Sequence, residues 1–149
     1  MKLVFIGFGE AAYHLATGLH TQADLQLGAY DAHADDPQRG AAIRQRAEHT
    51  RVTLFDSLEN ACQGARFILC LTSASSALAV AERILPLLVA GQTYVDMNSA
   101  APTVKQAIDK PFEANRNFGQ FFAQTGSDSI NHRRADQSFA NGGIRPPPR

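Results

Sequence analysis

Lys2-Leu3-Val4-Phe5-Ile6-Gly7-Phe8-Gly9-Glu10-Ala11-Ala12 decides the fold. Leu3 to Ile6 is a short continuous apolar run, the pattern of a strand buried on both faces. Ala11, Ala12, Leu15, Ala16 and Leu19 then recur at helical spacing. Between them, Gly7 to Ala12 matches G-x-G-x-x-G/A, which is weak alone and specific when it leaves a strand and opens a helix. Gly7 allows the tight turn, Gly9 lets a pyrophosphate approach the backbone, and Ala12 lets helix and strand pack closely. Amides at the helix start, aided by the helix dipole, would hold the phosphates. Glu10 stabilises the first helical turn but would repel a phosphate, so it is expected to face solvent.

Strand and helix signals alternate outward from this stretch. Leu25 to Tyr30 reads as a second strand, Arg39 to His49 as an exposed helix, and Val52 to Phe55 as a short third strand. Ser57 caps a brief helix, with Asn60 where a capping box would place Glu or Gln. Phe67 to Leu71 is a fourth strand. Ser75 or Ser76 caps the helix carrying Leu78, Ala81, Ile84, Leu85 and Leu88, which Gly91 stops. Thr93 to Met97 is a fifth strand, and Pro102 opens one more helix at its tolerated first turn. The expected fold is α/β: a Rossmann-type doubly wound parallel sheet, truncated after about five strands, with a disordered or atypical C-terminal tail.

That tail differs in composition. Every Leu, Val, Met, Tyr and Lys lies in residues 1–110, whereas residues 111–149 hold five of the nine Phe and end Arg145-Pro146-Pro147-Pro148-Arg149. Without an aliphatic stripe to bury, residues 111–149 are expected to be mostly disordered, with a short helix around Phe118 to Gln124. Residues 1–110 form the expected dinucleotide-binding domain. Ending the sheet at a fifth strand would leave an exposed edge.

The whole chain of 149 residues carries 14 basic and 14 acidic side chains. Zero net charge argues against a general nucleic-acid binder, which needs excess Lys and Arg. No apolar stretch has the length of a membrane span, and no signal peptide is expected, so the expected location is cytoplasmic. Cys62 and Cys70 cannot make a disulfide framework or a four-cysteine metal site, and Cys70 reads as a small core hydrophobe. His14, His20 and His49 lack metal-ligand spacing with an acid or Cys.

Asp31 ends the second strand about 24 positions after Gly7, near the roughly 20-residue spacing of the acid that binds the adenosine ribose. A carboxylate there favours NAD over NADP, although His33, Arg39 and Arg44 lie close enough to leave NADP open; a plain turn role is the alternative. Beyond the later strands lie two polar loops, Leu71-Thr72-Ser73-Ala74-Ser75 and Asp96-Met97-Asn98-Ser99-Ala100-Ala101-Pro102. Their hydroxyl and amide groups suit a nicotinamide ribose and an oxygen-bearing substrate, while Ser75 and Ser99 also suit helix caps.

Taken together, Lys2 to Ala12, Phe67-Ile68-Leu69-Cys70-Leu71-Thr72 and Tyr94 to Pro102 resemble the amino-terminal domain of the β-hydroxyacid dehydrogenases, the family of 6-phosphogluconate and 3-hydroxyisobutyrate dehydrogenases. The resemblance covers roughly residues 1–110. It implies oxidation of a small hydroxy acid with NAD or NADP, by hydride transfer at the hydroxyl carbon. It places Gly7, Phe8, Gly9, Glu10 and Ala11 at the pyrophosphate turn, Asp31 at the adenosine ribose, Thr72 and Ser73 near the other ribose, and Asn98 and Ser99 in the substrate loop. No residue falls at a catalytic or metal position.

The family also has a sixth strand, a Gly-rich substrate loop, and a helix with a Gly-x-x-Gly-x-Lys-x-x-Asn pattern whose Lys is the general acid/base; none is recognisable after Lys110, the last lysine. Three readings follow: the cofactor-binding part of an oxidoreductase, inactive alone because the lysine-bearing helical domain is absent; a non-catalytic dinucleotide-binding module; or an inert gene fragment. A methyltransferase fits the turn and Asp31 but not Ala12 or the Asp96 to Pro102 segment. The abrupt change at residue 111 suggests a frameshift. The expected outcome is that another frame of the encoding DNA restores a sixth strand and the lysine motif; translating every frame and finding neither overturns that origin.

Overall fold

The computed structural model describes residues 1–114, 120–125 and 129–134, with the main chain alone from residue 113 onward. At its centre is β1 (Lys2–Ile6). Val4, Phe5 and Ile6 are all buried, as their uninterrupted apolar run requires. Successive strand residues face opposite sides. Val4 and Ile6 therefore join one core, and Leu3 and Phe5 the other.

From β1 the chain passes through α1 (Glu10–Leu19) to β2 (Gln26–Tyr30), then α2 (Gly40–His49) and β3 (Thr53–Leu54). α3 (Leu58–Cys62) leads back across the sheet to β4 (Phe67–Cys70), followed by α4 (Ala77–Ile84), β5 (Thr93–Asp96) and α5 (Pro102–Ala114). The strands lie in the order β3-β2-β1-β4-β5, all parallel. Leu3 stands opposite Leu27 on one side and Phe67 on the other. The core on one face joins Ala12 and Ala16 of α1 and Ile43 and Ala47 of α2 to Leu3, Phe5, Leu27 and Ala29. The other joins residues of α3, α4 and α5, including Leu58, Ala81, Ile84 and Ile108, to Val4, Ile6, Ile68 and Tyr94. The Rossmann-type doubly wound α/β fold is thus present.

Local signals act much as their chemistry dictates. Ser57 caps α3, its hydroxyl accepting from the Asn60 amide at 3.2 Å. The Asn60 carboxamide donates to Asp56 at 2.8 Å instead of completing a capping box. Ser76 occupies the N-cap position of α4 without a side-chain cap. The helix expected to run to Leu88 stops at Ile84 and tightens into a 3-10 turn, Leu85–Leu87, because Pro86 has no N–H to continue the ladder.

The sheet continues past β5. β6 (Gln120–Thr125) pairs parallel to β5, and β7 (Ser129–Arg134) pairs antiparallel to β6. The short helix expected around Phe118 to Gln124 is therefore corrected: residues 120–125 form a strand. The unpaired edge of β5 offers a ladder of N–H and C=O groups, and aromatic residues such as Phe121 and Phe122 suit strands. The exposed edge expected at β5 is accordingly filled. α5 also runs across the Lys110–Pro111 junction without ending there. The rest of the segment expected to be disordered, residues 115–119, 126–128 and 135–149, lies outside the described residues.

Both cysteines are buried. Burial pushes the Cys62 thiol up to about 11, with Lys2 opposing and Glu59 reinforcing the shift. The folded state thus favours the neutral thiol, and that stabilisation is complete below the unfolded-state value and lost as pH rises through about 11. Wild type should lose on the order of 2 kcal/mol relative to Cys62→Ala between about pH 8 and pH 11. Urea unfolding of both proteins across that range checks this; a constant difference would contradict it.

Candidate functional site

The order of the strands reverses between β1 and β4, and in such sheets the carboxyl ends at the reversal form a crevice. Gly7 stands there with φ +86°. A Cβ on Gly7 would lie 2.5 Å from the Leu71 carbonyl oxygen and 3.2 Å from Thr72 Cγ2. Glycine is thus required twice, for its dihedral and for the close passage of the β4 end. The Gly7 amide donates to the Tyr30 carbonyl at 2.8 Å, tying the turn to β2.

The next residue is fastened from both sides. The Phe8 side chain is fully buried and lies 5.8 Å from the Phe5 ring, centroid to centroid. Its amide donates to Asp31 Oδ2 at 2.7 Å. The other oxygen, Oδ1, accepts from the His33 amide at 2.8 Å. Asp31 therefore does the turn work considered as its alternative role, while each carboxylate oxygen keeps a further lone pair for a ligand hydroxyl. Phe8 shapes the turn but has already committed its amide.

Gly9 is different. It is the N-cap of α1, with φ −82° and ψ −161°, a conformation open to any residue. Nothing lies within 4 Å of where its Cβ would be. No side chain caps α1 at this position. The first amides of a helix have no acceptor within it, so Glu10 and Ala11 present their N–H groups at this end. Glu10 is 83% exposed, and its carboxylate lies 4.0 Å from Arg46. It faces solvent, as expected.

Across the crevice, Thr72 is partly buried and Ser73 exposed. The Ser73 hydroxyl bonds Ser75 at 3.0 Å and Ser76 at 2.9 Å. In the loop after β5, Ser99 is exposed whereas Asn98 is buried. The Asn98 carboxamide donates to Asp96 Oδ1 at 2.8 Å and to Cys70 Sγ at 3.3 Å, and accepts from the Thr72 hydroxyl at 3.4 Å. Asn98 thus turns inward and supports the loop. Gly7, Thr72 and Asn98 are brought together; Ser99 contributes an exposed hydroxyl.

Sequence reasoning quotes Asp96 in the loop after the fifth strand without giving it a role, and it misses Lys105. Asp96 is fully buried at the end of β5, and Lys105 of α5 is 4% exposed. Lys105 Nζ donates to Asp96 Oδ2 at 2.8 Å. Removing one partner from such a buried pair costs roughly 3–5 kcal/mol, because the remaining charge is left in the interior. The available signal was an acid closing an apolar strand with a lysine one turn into the next helix.

A cavity of about 890 Å³ lies at the opposite end of the sheet, among Lys2, Gln26, Thr53, Phe55 and Arg51. It opens at the amino ends of β1, β2 and β3, away from the glycine turn, and does not form part of this site. Among the described residues no cluster of three or more His, Cys, Asp or Glu side chains could hold a metal ion, and no helix is long and apolar enough to cross a membrane.

An open Gly9, helix amides free to donate and a carboxylate able to accept at the end of β2 suit a dinucleotide. One comparison identifies the family, and the solved structures share its fold. The model of the NAD binding domain of 6-phosphogluconate dehydrogenase matches residues 2–120. A conserved hypothetical protein from Sinorhizobium meliloti 1021 is 30% identical, with a TM-score of 0.73 over 85% of this chain and 42% of that one. A protein of unknown function described as similar to 3-hydroxyacid dehydrogenases is 24% identical, with a TM-score of 0.66 over 85% and 45%. The Mycobacterium tuberculosis 3-hydroxyisobutyrate dehydrogenase shares the fold at 14% identity, with a TM-score of 0.65 over 85% and 41%. The chain spans less than half the length of each of these structures. No curated protein matches it. The fold, the glycine turn and the match over residues 2–120 together make this chain a member of the family of NAD-binding domains of 6-phosphogluconate dehydrogenase.

Proposed function

We propose that the chain binds a nicotinamide dinucleotide across the carboxyl ends of β1, β2 and β4, and that it is the cofactor-binding part of an oxidoreductase acting on a small hydroxy acid. The observation that carries this reading is Gly9. Its dihedrals do not require glycine and its Cβ would meet open space, so nothing in the fold explains a missing side chain there. A pyrophosphate seated against the turn does. Gly9, Glu10 and Ala11 hold the phosphates through their amides. Gly7 and Phe8 shape the turn that presents them. Asp31 accepts from the adenosine ribose hydroxyls, Thr72 and Ser73 lie beside the second ribose, and Ser99, with Asn98 beneath it, borders the substrate. Bound in this way, the dinucleotide supplies the hydride acceptor.

NAD is the favoured cofactor, because the Asp31 carboxylate repels a 2′-phosphate. His33 and Arg39, whose Nε2 and Nη1 are 3.2 Å apart, are the nearby groups that soften this preference. Arg44 is drawn away, donating to the Ala34 carbonyl. A titration of the purified chain followed by nicotinamide fluorescence tests both points. Saturable enhancement is expected, stronger with NADH than with NADPH. Gly9→Ala should keep the wild-type melting temperature and weaken NADH binding by about tenfold or more, equivalent to about 1.4 kcal/mol. Equal affinity of Gly9→Ala and wild type for NADH would sink the assignment of the turn.

None of the three described lysines is placed to serve as the family's general acid/base. Lys105 is held by Asp96, Lys2 donates to the Asn60 and Gln63 carbonyls, and Lys110 is exposed on α5. Positioned acid/base catalysis is worth roughly 10²–10⁴-fold. The chain alone is therefore expected to bind without turning over. An assay of NADH production with small hydroxy acids checks this, and turnover at ordinary enzymatic rates would contradict it.

A further inference from the structure

The Asp96–Lys105 pair has no role in the reading above, yet it is bound into the crevice. Lys105 occupies one carboxylate oxygen of Asp96, Oδ2, at 2.8 Å. The other, Oδ1, takes two bonds from a single residue: the Asn98 amide at 3.0 Å and the Asn98 carboxamide nitrogen at 2.8 Å. This fixes which end of the Asn98 carboxamide faces inward, so its oxygen is left to accept from the Thr72 hydroxyl at 3.4 Å. The Thr72 methyl meanwhile packs 3.2 Å from the position a Gly7 Cβ would take. The Thr72 hydroxyl is thereby held through Asn98, with its methyl on the side of the glycine turn. A continuous chain of polar contacts runs from α5 to the loop after β4, and Lys105 stands at its origin.

We propose that Lys105 is a positioning residue for the nicotinamide half of the cofactor, acting through Asp96 and Asn98 to fix the Thr72 hydroxyl in the loop after β4. The proposal rests on the dinucleotide reading given above. A buried ion pair is an expensive way to fill a core, since apolar residues of similar volume often do as well. Charge-assisted bonds are shorter and about twice as strong as neutral ones, which suits a loop that must hold one geometry. The adenosine half is held elsewhere, by the Gly9 turn and Asp31. A purely structural lysine would weaken both halves together; a positioning lysine weakens one.

ADP carries the adenosine and pyrophosphate alone, so the test compares ADP with NADH on the purified chain by calorimetry. Lys105→Met should weaken NADH binding about tenfold and leave ADP binding within about twofold of wild type, the larger change being about 1.4 kcal/mol. Because Lys105→Met strands the Asp96 carboxylate, the neutral pair Asp96→Asn/Lys105→Met is measured beside it. That variant buries no charge, keeps the bonds from Asn98 as neutral ones and deletes the bond from position 105, so a loss for NADH of about threefold or more with ADP unchanged is expected. Equal losses for NADH and ADP, or no loss for NADH in the folded neutral pair, overturn the role of Lys105 while leaving the dinucleotide reading intact. Wild type that binds neither ligand overturns the dinucleotide reading, and the role of Lys105 with it.

Discussion

Where β1 ends, the chain must pass the end of β4 with no room for a side chain. Gly7 meets this demand with a left-handed backbone, and the Leu71 carbonyl occupies the space a Cβ would need. That close passage brings the two central strands' carboxyl ends together at the point where the sheet order reverses. It also sets where α1 begins, and so where unpaired helix amides are presented. The crevice is a consequence of this one approach more than of any set of attractive contacts.

Two carboxylates then secure the loops around it, by the same chemistry in different surroundings. Asp31 follows β2 and accepts from the Phe8 and His33 amides. Asp96 closes β5 and accepts from the Asn98 amide and side chain. Chain leaving a parallel strand loses its ladder partners, and its N–H groups need acceptors that a short acidic side chain can supply. Asp31 is partly exposed and keeps capacity for a ligand. Asp96 is fully buried and needs the Lys105 cation to remain there. One acid can therefore serve recognition directly, while the other can act only through its neighbours.

Much of the architecture was legible along the chain. The apolar run at Leu3 to Ile6 and the helical spacing from Ala11 to Leu19 reflect burial on two faces and on one stripe, and each is a local property. The glycine spacing was legible for the same reason, since it encodes backbone conformation and missing volume. The strand at residues 120–125 was not, because its pairing depends on the open edge of β5 and on no period of its own. The helix after Ser76 was overrun because the weight of Leu85 and Leu88 masked the effect of Pro86. Asn98 was legible as part of the polar loop after β5, but its inward turn follows from Asp96, Cys70 and Thr72, which are far apart or differently placed in sequence.

By itself, then, the sequence determined what periodicity and backbone sterics can encode: a parallel α/β sheet, a tight glycine turn after its first strand, and an acid at the end of its second. Only the tertiary structure decided which groups remain available. It committed the Phe8 amide to Asp31, left Gly9 facing open space, drew Asn98 into the interior and paired Lys105 with Asp96. The physical reason is that periodicity records burial averaged over neighbours in the chain. A hydrogen bond or an ion pair instead depends on the position of single atoms from strands and helices that meet only when the sheet is assembled.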